Sequence, residues 1–249
     1  MKISLITVVY NNEYSIEDAI KSVLAQTYSN KEFIVIDGAS TDNTLNIVHR
    51  YDKFIDKFTT GKDVNNYDAY NKGLRLANGH IIGFLNSDDF FESDDVLQTV
   101  MDLFEKHPNI DMIYGNILYV NNRDTSKIVR KWISMPYYDS FFEDGNVPPH
   151  PSLFIRRKVY DEAGFFDISF KLAADYEFMF RIFRIHRYKA LYINKVFVKM
   201  RMGGRTNKSL KNIFMGNIDI LNAWKKYGIR PPHLLFPKRL IKRITQFIN

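Results

Sequence analysis

Short apolar runs alternate with longer segments of helical period through the first 115 residues. The run ISLITVV (Ile3–Val9) has the length and composition of a strand buried on both faces. YNNEYS breaks it with polar residues. SIEDAIKSVLAQT then carries apolar positions at helical spacing, with Ser15 and Asp18 placed as a capping box. FIVID (Phe33–Asp37) reads as a second strand, GASTDN as a turn and TLNIVHRY as a helix. KFIDKFTT holds a short third strand. Asn66 to Gly79 reads as a helix with a glycine stop. HIIGFL (His80–Leu85) is a fourth strand, Ser93 to His107 a helix closed near Pro108, and IDMIYGN (Ile110–Asn116) a fifth strand.

Repeated strand–helix units predict an α/β fold with a mainly parallel, Rossmann-like central sheet flanked by helices and a smaller second region. Ligands of such sheets bind outside the carboxyl ends of the strands. Tyr10, Asn11, Asp37 and the cluster Asn86–Asp89 all fall at strand exits. The second half is less regular. NILYVNNRDTSKIVRKWI (Asn116–Ile133) reads as a hairpin with its turn near Asn122–Thr125. NVPPHPSLFIRR (Asn146–Arg157) is a proline-rich entry into a short strand, and AADYEFMFRIFRI (Ala173–Ile185) is a helix. KALYI and VFVKMR read as two short strands, and Asn207–Gly228 as a long helix. A soft boundary near 115–130 separates a nucleotide-facing half (1–115) from an acceptor-facing half (116–205) of one domain. Residues 206–249 form a C-terminal helical segment with a basic amphipathic tail.

Composition narrows the chemistry. Apolar residues make up 45% of the 249, enough for a sizeable core. There is no cysteine, so thiolate chemistry and zinc–sulfur sites are excluded, and a reducing cytoplasm is compatible. The N-terminus lacks the pattern of a signal peptide, and no run of 18 apolar residues predicts a membrane span. A net charge of +7 favours anionic partners. No nucleic-acid-binding motif is visible, so nucleic acid is not an expected partner. In the tail FPKRLIKRITQFIN, a helix would segregate Phe236, Leu240, Ile241, Ile244, Phe247 and Ile248 from Lys238, Arg239, Lys242 and Arg243. That pattern suits an anionic membrane surface, or equally docking on the protein's own body.

Asp88 and Asp89 leave an apolar strand at the ligand edge. Two carboxylates there can hold Mg²⁺ or Mn²⁺ together with substrate phosphates, or simply cap a turn. Asn86 can order one of them. Asp37 can accept from a ribose or a base N–H, or pair with Ser40 or Thr41. Neither a dinucleotide fingerprint nor a P-loop is present. Asp175 shares a helix with Glu177 and Arg181, an i,i+4 pair that also suits a solvated face. His150, boxed by prolines, suits a diphosphate or an acceptor as well as a plain turn. Gly203 and Gly204 lie in RMGGRTNKS, an anion-facing loop or an ordinary flexible one.

In order along the chain, SLITVVYNNEYSIEDAIKSVLAQTY, EFIVIDGASTDNT, YDAYNKGLRLANGHIIGFLNSDD and HPSLFIRRKVYDEAGFFDISFKLAADYEFMFR resemble the blocks of family 2 glycosyltransferases, over about residues 1–205. The resemblance implies a GT-A fold and inverting sugar transfer from a nucleotide sugar, usually UDP-linked. It implies that Thr7, Tyr10 and Asp37 hold the base and ribose, and that Asp68, Asn71 and Lys72 lie along the nucleotide and sugar. Asn86 and Ser87 would border the donor, Asp88 and Asp89 hold the metal, and Asp175 act as general base. His150 would lie on the acceptor side, with Gly203 and Gly204 in a loop over the site. Many relatives have an acid where this chain has Asn86, which lowers the charge offered to the metal. Similar bacterial enzymes build surface polysaccharides, so a glycan or lipid-linked glycan acceptor is expected. The enzyme would be cytoplasmic, attached through its tail to the inner face of the cytoplasmic membrane. Two other classes share these features: a sugar-phosphate nucleotidyltransferase, and a non-catalytic carbohydrate-binding or scaffold subunit. YNNEYS lacks the basic, glycine-rich loop that the first would need, and the acid set argues against the second.

Overall fold

A computed structural model describes residues 1–203 and 209–247. β1 (Ile3–Val9) is buried along its whole length. α1 (Ile16–Leu24) follows and turns Ile16, Ala19, Ile20 and Val23 inward. The expected capping box does not form: no side chain caps α1, and the Ser15 hydroxyl turns to Asn12 Oδ1 at 2.8 Å. β2 (Lys31–Asp37), α2 (Thr44–His49), β3 (Lys57–Thr60), α3 (Asn66–Leu76) and β4 (Ile81–Phe84) complete the first half. β1 pairs in parallel with β2 and β4, and β3 pairs in parallel with β2. Each connection contains a helix, as parallel neighbours require. Asn65 starts α3 by accepting from the N–H groups of Tyr67 and Asp68.

The rest of the sheet departs from the expected, mainly parallel arrangement. β5 (Asp89–Phe91), α4 (Val96–Lys106), β6 (Met112–Val120), β7 (Ile128–Trp132), β8 (Leu153–Arg156), α5 (Arg157–Ala163), α6 (Ala174–Met179) and β9 (Ala190–Arg201) follow in order. The sheet runs β3-β2-β1-β4-β8-β6-β9-β5, with β7 also on β6. β8 is antiparallel to both β4 and β6, β5 to β9 and β7 to β6, while β6 and β9 are parallel. The sheet is therefore mixed. β6, β7 and β8 follow one another through a hairpin and an irregular loop, with no α-helix between them, and both β7 and β8 run opposite to β6. Two local expectations change with it. β9 is one strand of twelve residues rather than two short ones, and Asp89 opens a strand rather than ending a loop.

α6 continues as a wider π-helical turn over Phe180–Ile185. Its Glu177–Arg181 pair forms at 3.0 Å, but it is buried rather than on a solvated face. α7 (Leu210–Lys226) and α8 (Leu235–Thr245) close the chain. One apolar layer joins α1, α2 and α4 to the sheet. The other gathers α3, α5, α6 and α7 around aromatic rings that include Phe142, Phe166, Phe178 and Trp224. Among the described residues no helix is long and apolar enough to cross a membrane.

Candidate active site

The cluster after β4 is held by a tight turn, in which Asp89 N–H donates to Asn86 O at 3.0 Å. The turn sends the two acids apart. Asp88 lines an open cleft of about 460 Å³, with Asn12, Asp18, Arg123, Arg201 and Gly203 among its other walls. Asp89 is 1% exposed. Asn86 Nδ2 donates to its Oδ2 at 2.9 Å, while its Oδ1 has no partner. Burial pushes the Asp89 carboxyl well up and the charge of Asp88 adds to this; Asn86 and Arg201 oppose it. Arg201 donates to the Asp88 carbonyl at 2.9 Å and pairs with Asp18, so β9 pins the cluster from the far edge. The Asp88 carboxylate on the open cleft, with the unpartnered Oδ1 of Asp89 behind it, is of the chemistry that suits a divalent cation, but the described residues hold no preformed metal cluster. Among the described residues no third Asp, Glu, His or Cys joins them, so a cation there would take its remaining ligands from substrate oxygens or water.

Asp175 lies in the first turn of α6, half-buried. Its Oδ1 accepts from Tyr67 Oη at 3.0 Å and from Tyr176 N at 2.9 Å. Tyr67 and Tyr70 stand three apart on α3 and therefore share one face. Tyr70 Oη donates to Asn86 Oδ1. Burial pushes the Tyr70 phenol far up, and the charges of Asp175, Asp89 and Asp88 all add to the shift. Two neighbouring tyrosines of α3 thus link Asp175 and Asn86, almost ninety positions apart in the chain. Neither tyrosine was singled out by sequence reasoning; their i,i+3 spacing inside YDAYNKG was the available signal.

The opposite side of α3 borders the ends of β1 and β2. Tyr10 is 62% exposed there. Gly38 forms the floor beside it: a Cβ at Gly38 would come within 3.0 Å of Asp63 Oδ2 and 3.4 Å of Tyr10. Lys72 reaches Asp63 at 2.6 Å and Asp68 at 3.4 Å. Burial raises the Asp63 carboxyl, and Lys72 opposes this. Asp37 Oδ2 accepts from Ser40 N (3.0 Å) and Thr60 Oγ1 (2.6 Å), while its buried Oδ1 has no partner. Thr7 Oγ1 is likewise buried and unpartnered. Gly38 and Asp63 were missed in the sequence because neither stands in an obvious motif.

Other expected residues lie apart from these surfaces. Asn71 is buried, and its amide bonds both the N–H and the C=O of Phe166. Ser87 is buried and accepts from Asn12 Nδ2 at 2.9 Å. His150 is packed among Phe84, Tyr70 and Phe166, with ring centroids 5.7–5.9 Å away. Burial lowers its basicity, against the pull of Asp175. Gly203 lines the cleft next to Asp88. Gly204 lies outside the described residues.

An α/β domain with acids gathered at the carboxyl ends of its parallel strands belongs to the class whose ligands bind at that edge of the sheet. Comparison with known proteins is more specific. Residues 4–165 match the family described as "Glycosyl transferase family 2". A PGL/p-HBAD biosynthesis glycosyltransferase of Mycobacterium bovis is 27% identical over 217 residues, 85% of this chain and 80% of its own. The UDP-Glc:alpha-D-GlcNAc-diphosphoundecaprenol beta-1,3-glucosyltransferase WfgD of Escherichia coli is 34% identical over 133 residues, about half of each chain. A mannosyltransferase of Pyrobaculum calidifontis, solved with GDP-Man and Mn²⁺, superposes with a TM-score of 0.67 at 17% identity, over 97% of this chain and 68% of that one. The chain spans 40% of the length of Staphylococcus aureus TarS, a larger chain of the same fold. This chain belongs to glycosyltransferase family 2. Its activity is that of an inverting glycosyltransferase using a nucleotide-sugar donor, which sets aside both nucleotidyl transfer and non-catalytic binding.

Proposed function

We propose that the protein moves a sugar from a UDP-linked donor to a hydroxyl of a glycan carried on a lipid diphosphate, with Asp175 as general base. The observation that supports this reading is the pair of tyrosines on α3, rings 5.9 Å apart, that link the two ends of the site: Tyr67 donates to Asp175 and Tyr70 to Asn86. On this reading Asp175 is the proton acceptor facing the departing diphosphate. Residues 1–115 form the donor half, 116–205 the acceptor half, and 206–249 a helical appendage.

On the donor side, Tyr10, Asp37 and Asp63 border the base and ribose, with Lys72 and Asp68 along the rim. Thr7 and Asn71 support that surface from beneath. Asn86 and Ser87 hold the turn that presents Asp88. A Mn²⁺ or Mg²⁺ ion, held by Asp88 with Asp89 behind it, would offset the charge of the leaving diphosphate as a Lewis acid. Asp175 accepts the proton of the attacking hydroxyl, and attack opposite the leaving group inverts the anomeric centre. His150 backs the acceptor side, and Gly203 borders the cleft. The E. coli relative's name specifies a diphosphoundecaprenol-linked acceptor, and the net charge of +7 suits an anionic one. The enzyme works in the cytoplasm at the membrane's inner face, with α8 as its contact.

A panel of nucleotide sugars read by UDP or GDP release, with and without Mn²⁺, tests the reading. UDP release with a lipid-linked acceptor is expected. Asp175→Asn should keep donor binding and lose about 10²–10⁴-fold in transfer, the usual worth of a general base. Normal transfer by that variant would remove Asp175 from the role. Asp88→Ala should abolish the Mn²⁺-dependent part of UDP affinity; an unchanged metal effect would place the ion elsewhere.

A further inference from the structure

The C-terminal helix is docked rather than free. Lys238 pairs with Asp144 at 2.8 Å, and Gln246 receives the Arg130 guanidinium and the Lys131 N–H. Gly145, at φ +78°, leaves room for α8: a Cβ there would meet the backbone nitrogen of Arg239 at 2.9 Å. Held in this way, α8 lays the Arg239 guanidinium over the ring of Tyr176, 5.0 Å from its centroid. Tyr176 is the residue after Asp175, so Arg239 lies against the wall that carries the general base.

The setting of Arg239 is unfavourable for stability. Its Nη1 is shut from solvent and has no hydrogen-bond partner. Burial disfavours the charge, and Arg243 on the same helix repels it, while Tyr176 and Asp175 offset part of this. The ring beneath fixes the plane of the guanidinium but supplies no acceptor for its N–H groups. Nη1 itself is closed to a ligand, so a phosphate would be met by the remaining N–H groups of the fork, whose geometry matches phosphate oxygens. The residue as a whole remains half-buried, so part of it is open to an incoming group.

We propose that Arg239, presented by α8 beside Asp175, binds a phosphate or diphosphate group of the sugar acceptor. The assignment rests on Asp175 marking the acceptor side, and it deepens the reading above by naming the residue that recognises the acceptor's anion. It gives the C-terminal segment a part in the active site as well as a surface of its own.

The test uses the full chain in EDTA, so that no cation at Asp88 contributes. Binding of farnesyl diphosphate, inorganic diphosphate and farnesol is measured by titration calorimetry for the wild type, Arg239→Gln and Arg239→Lys. At least one diphosphate should bind the wild type and lose about tenfold or more with Arg239→Gln, the scale of one charge-assisted hydrogen bond. Arg239→Lys should fall between them, and farnesol should not distinguish the variants. Loss with both diphosphates marks a site for the anion alone, and loss with farnesyl diphosphate only marks one that also needs the lipid; either supports the assignment. Wild-type binding that Arg239→Gln leaves unchanged, no diphosphate binding at all, or an equal loss with farnesol overturns it. If Arg239→Gln does not fold, protection of wild-type Arg239 from phenylglyoxal by a diphosphate replaces the comparison, and absence of protection is the negative result. UDP release from the donor panel reports separately on glycosyl transfer, so one reading can fail without the other.

Discussion

The two carboxylate oxygens of Asp175 have different surroundings. Oδ1 accepts from Tyr67 and from the Tyr176 N–H. Among the described residues Oδ2 accepts no hydrogen bond, which under the proposed mechanism leaves it for the acceptor hydroxyl. Tyr67 would then aim the base. Its ring packs against Tyr70 and Phe166 independently of the hydroxyl, so Tyr67→Phe should fold normally. Losing one donor to a charged acceptor should lower kcat about tenfold, with the donor KM unchanged. A kcat equal to the wild type would reduce Tyr67 to packing. Asp175 itself was legible in the sequence because its block is local. Tyr67 was not, because its partner lies 108 positions away.

At the scale of elements, α8 shows how one helix serves two surfaces. Lys238 and Arg239 face the body, while Leu240 (59%), Ile241 (62%) and Ile244 (51%) are exposed. Exposed apolar residues beside Lys242 and Arg243 match the interfacial pattern of a helix lying on anionic lipid. Replacing Leu240, Ile241 and Ile244 with Ser should lower binding to phosphatidylglycerol vesicles at least about tenfold, since each side chain carries roughly 1.5–3 kcal/mol when fully buried. The docked face is untouched by these changes, so thermal stability should hold. Vesicle co-sedimentation equal to the wild type would rule out this face as the contact. The sequence left membrane and self-docking open as alternatives; the fold assigns one face to the body and leaves the other outside. Parallel strands β1 to β4 were legible for a similar local reason: each is joined to the next by its own helix. β5 was not, because it is three residues long and pairs with a strand more than a hundred positions later, and β9 was read as two short strands where the fold has one.

Across the whole molecule, buried ionisable groups set the pH range of stability. His150 is neutral inside the aromatic layer, its pKa lowered by burial. In the unfolded chain it protonates near about 6.5. Below that pH the unfolded state binds the extra proton, so stability falls as pH drops. Between about pH 7.5 and 5.5, urea unfolding should show a slope contribution of at most about 1.4 kcal/mol per pH unit. His150→Phe keeps a ring against Phe84 and should remove that contribution; an unchanged slope would assign it to other groups. Glu32 acts in a lower window. Burial raises it, but hydrogen bonds from Ser4 and Asn78 and the Lys57 ammonium outweigh this and bring it to about 2. Its contribution is present above about 4.5 and is lost as pH falls towards 2.

The sequence by itself determined the strand–helix units of the first half, the family, and the acids at the strand exits. These rest on periodicity and on motifs written within a few dozen residues. Only the tertiary structure decided the mixed sheet, the burial of Asp89 behind Asp88, the tyrosines that join Asp88 and Asp175 into one site, and the place of Arg239 beside it. Each depends on which distant segments pack together. That is settled by the burial of whole faces and the satisfaction of buried polar groups, and no local pattern encodes it.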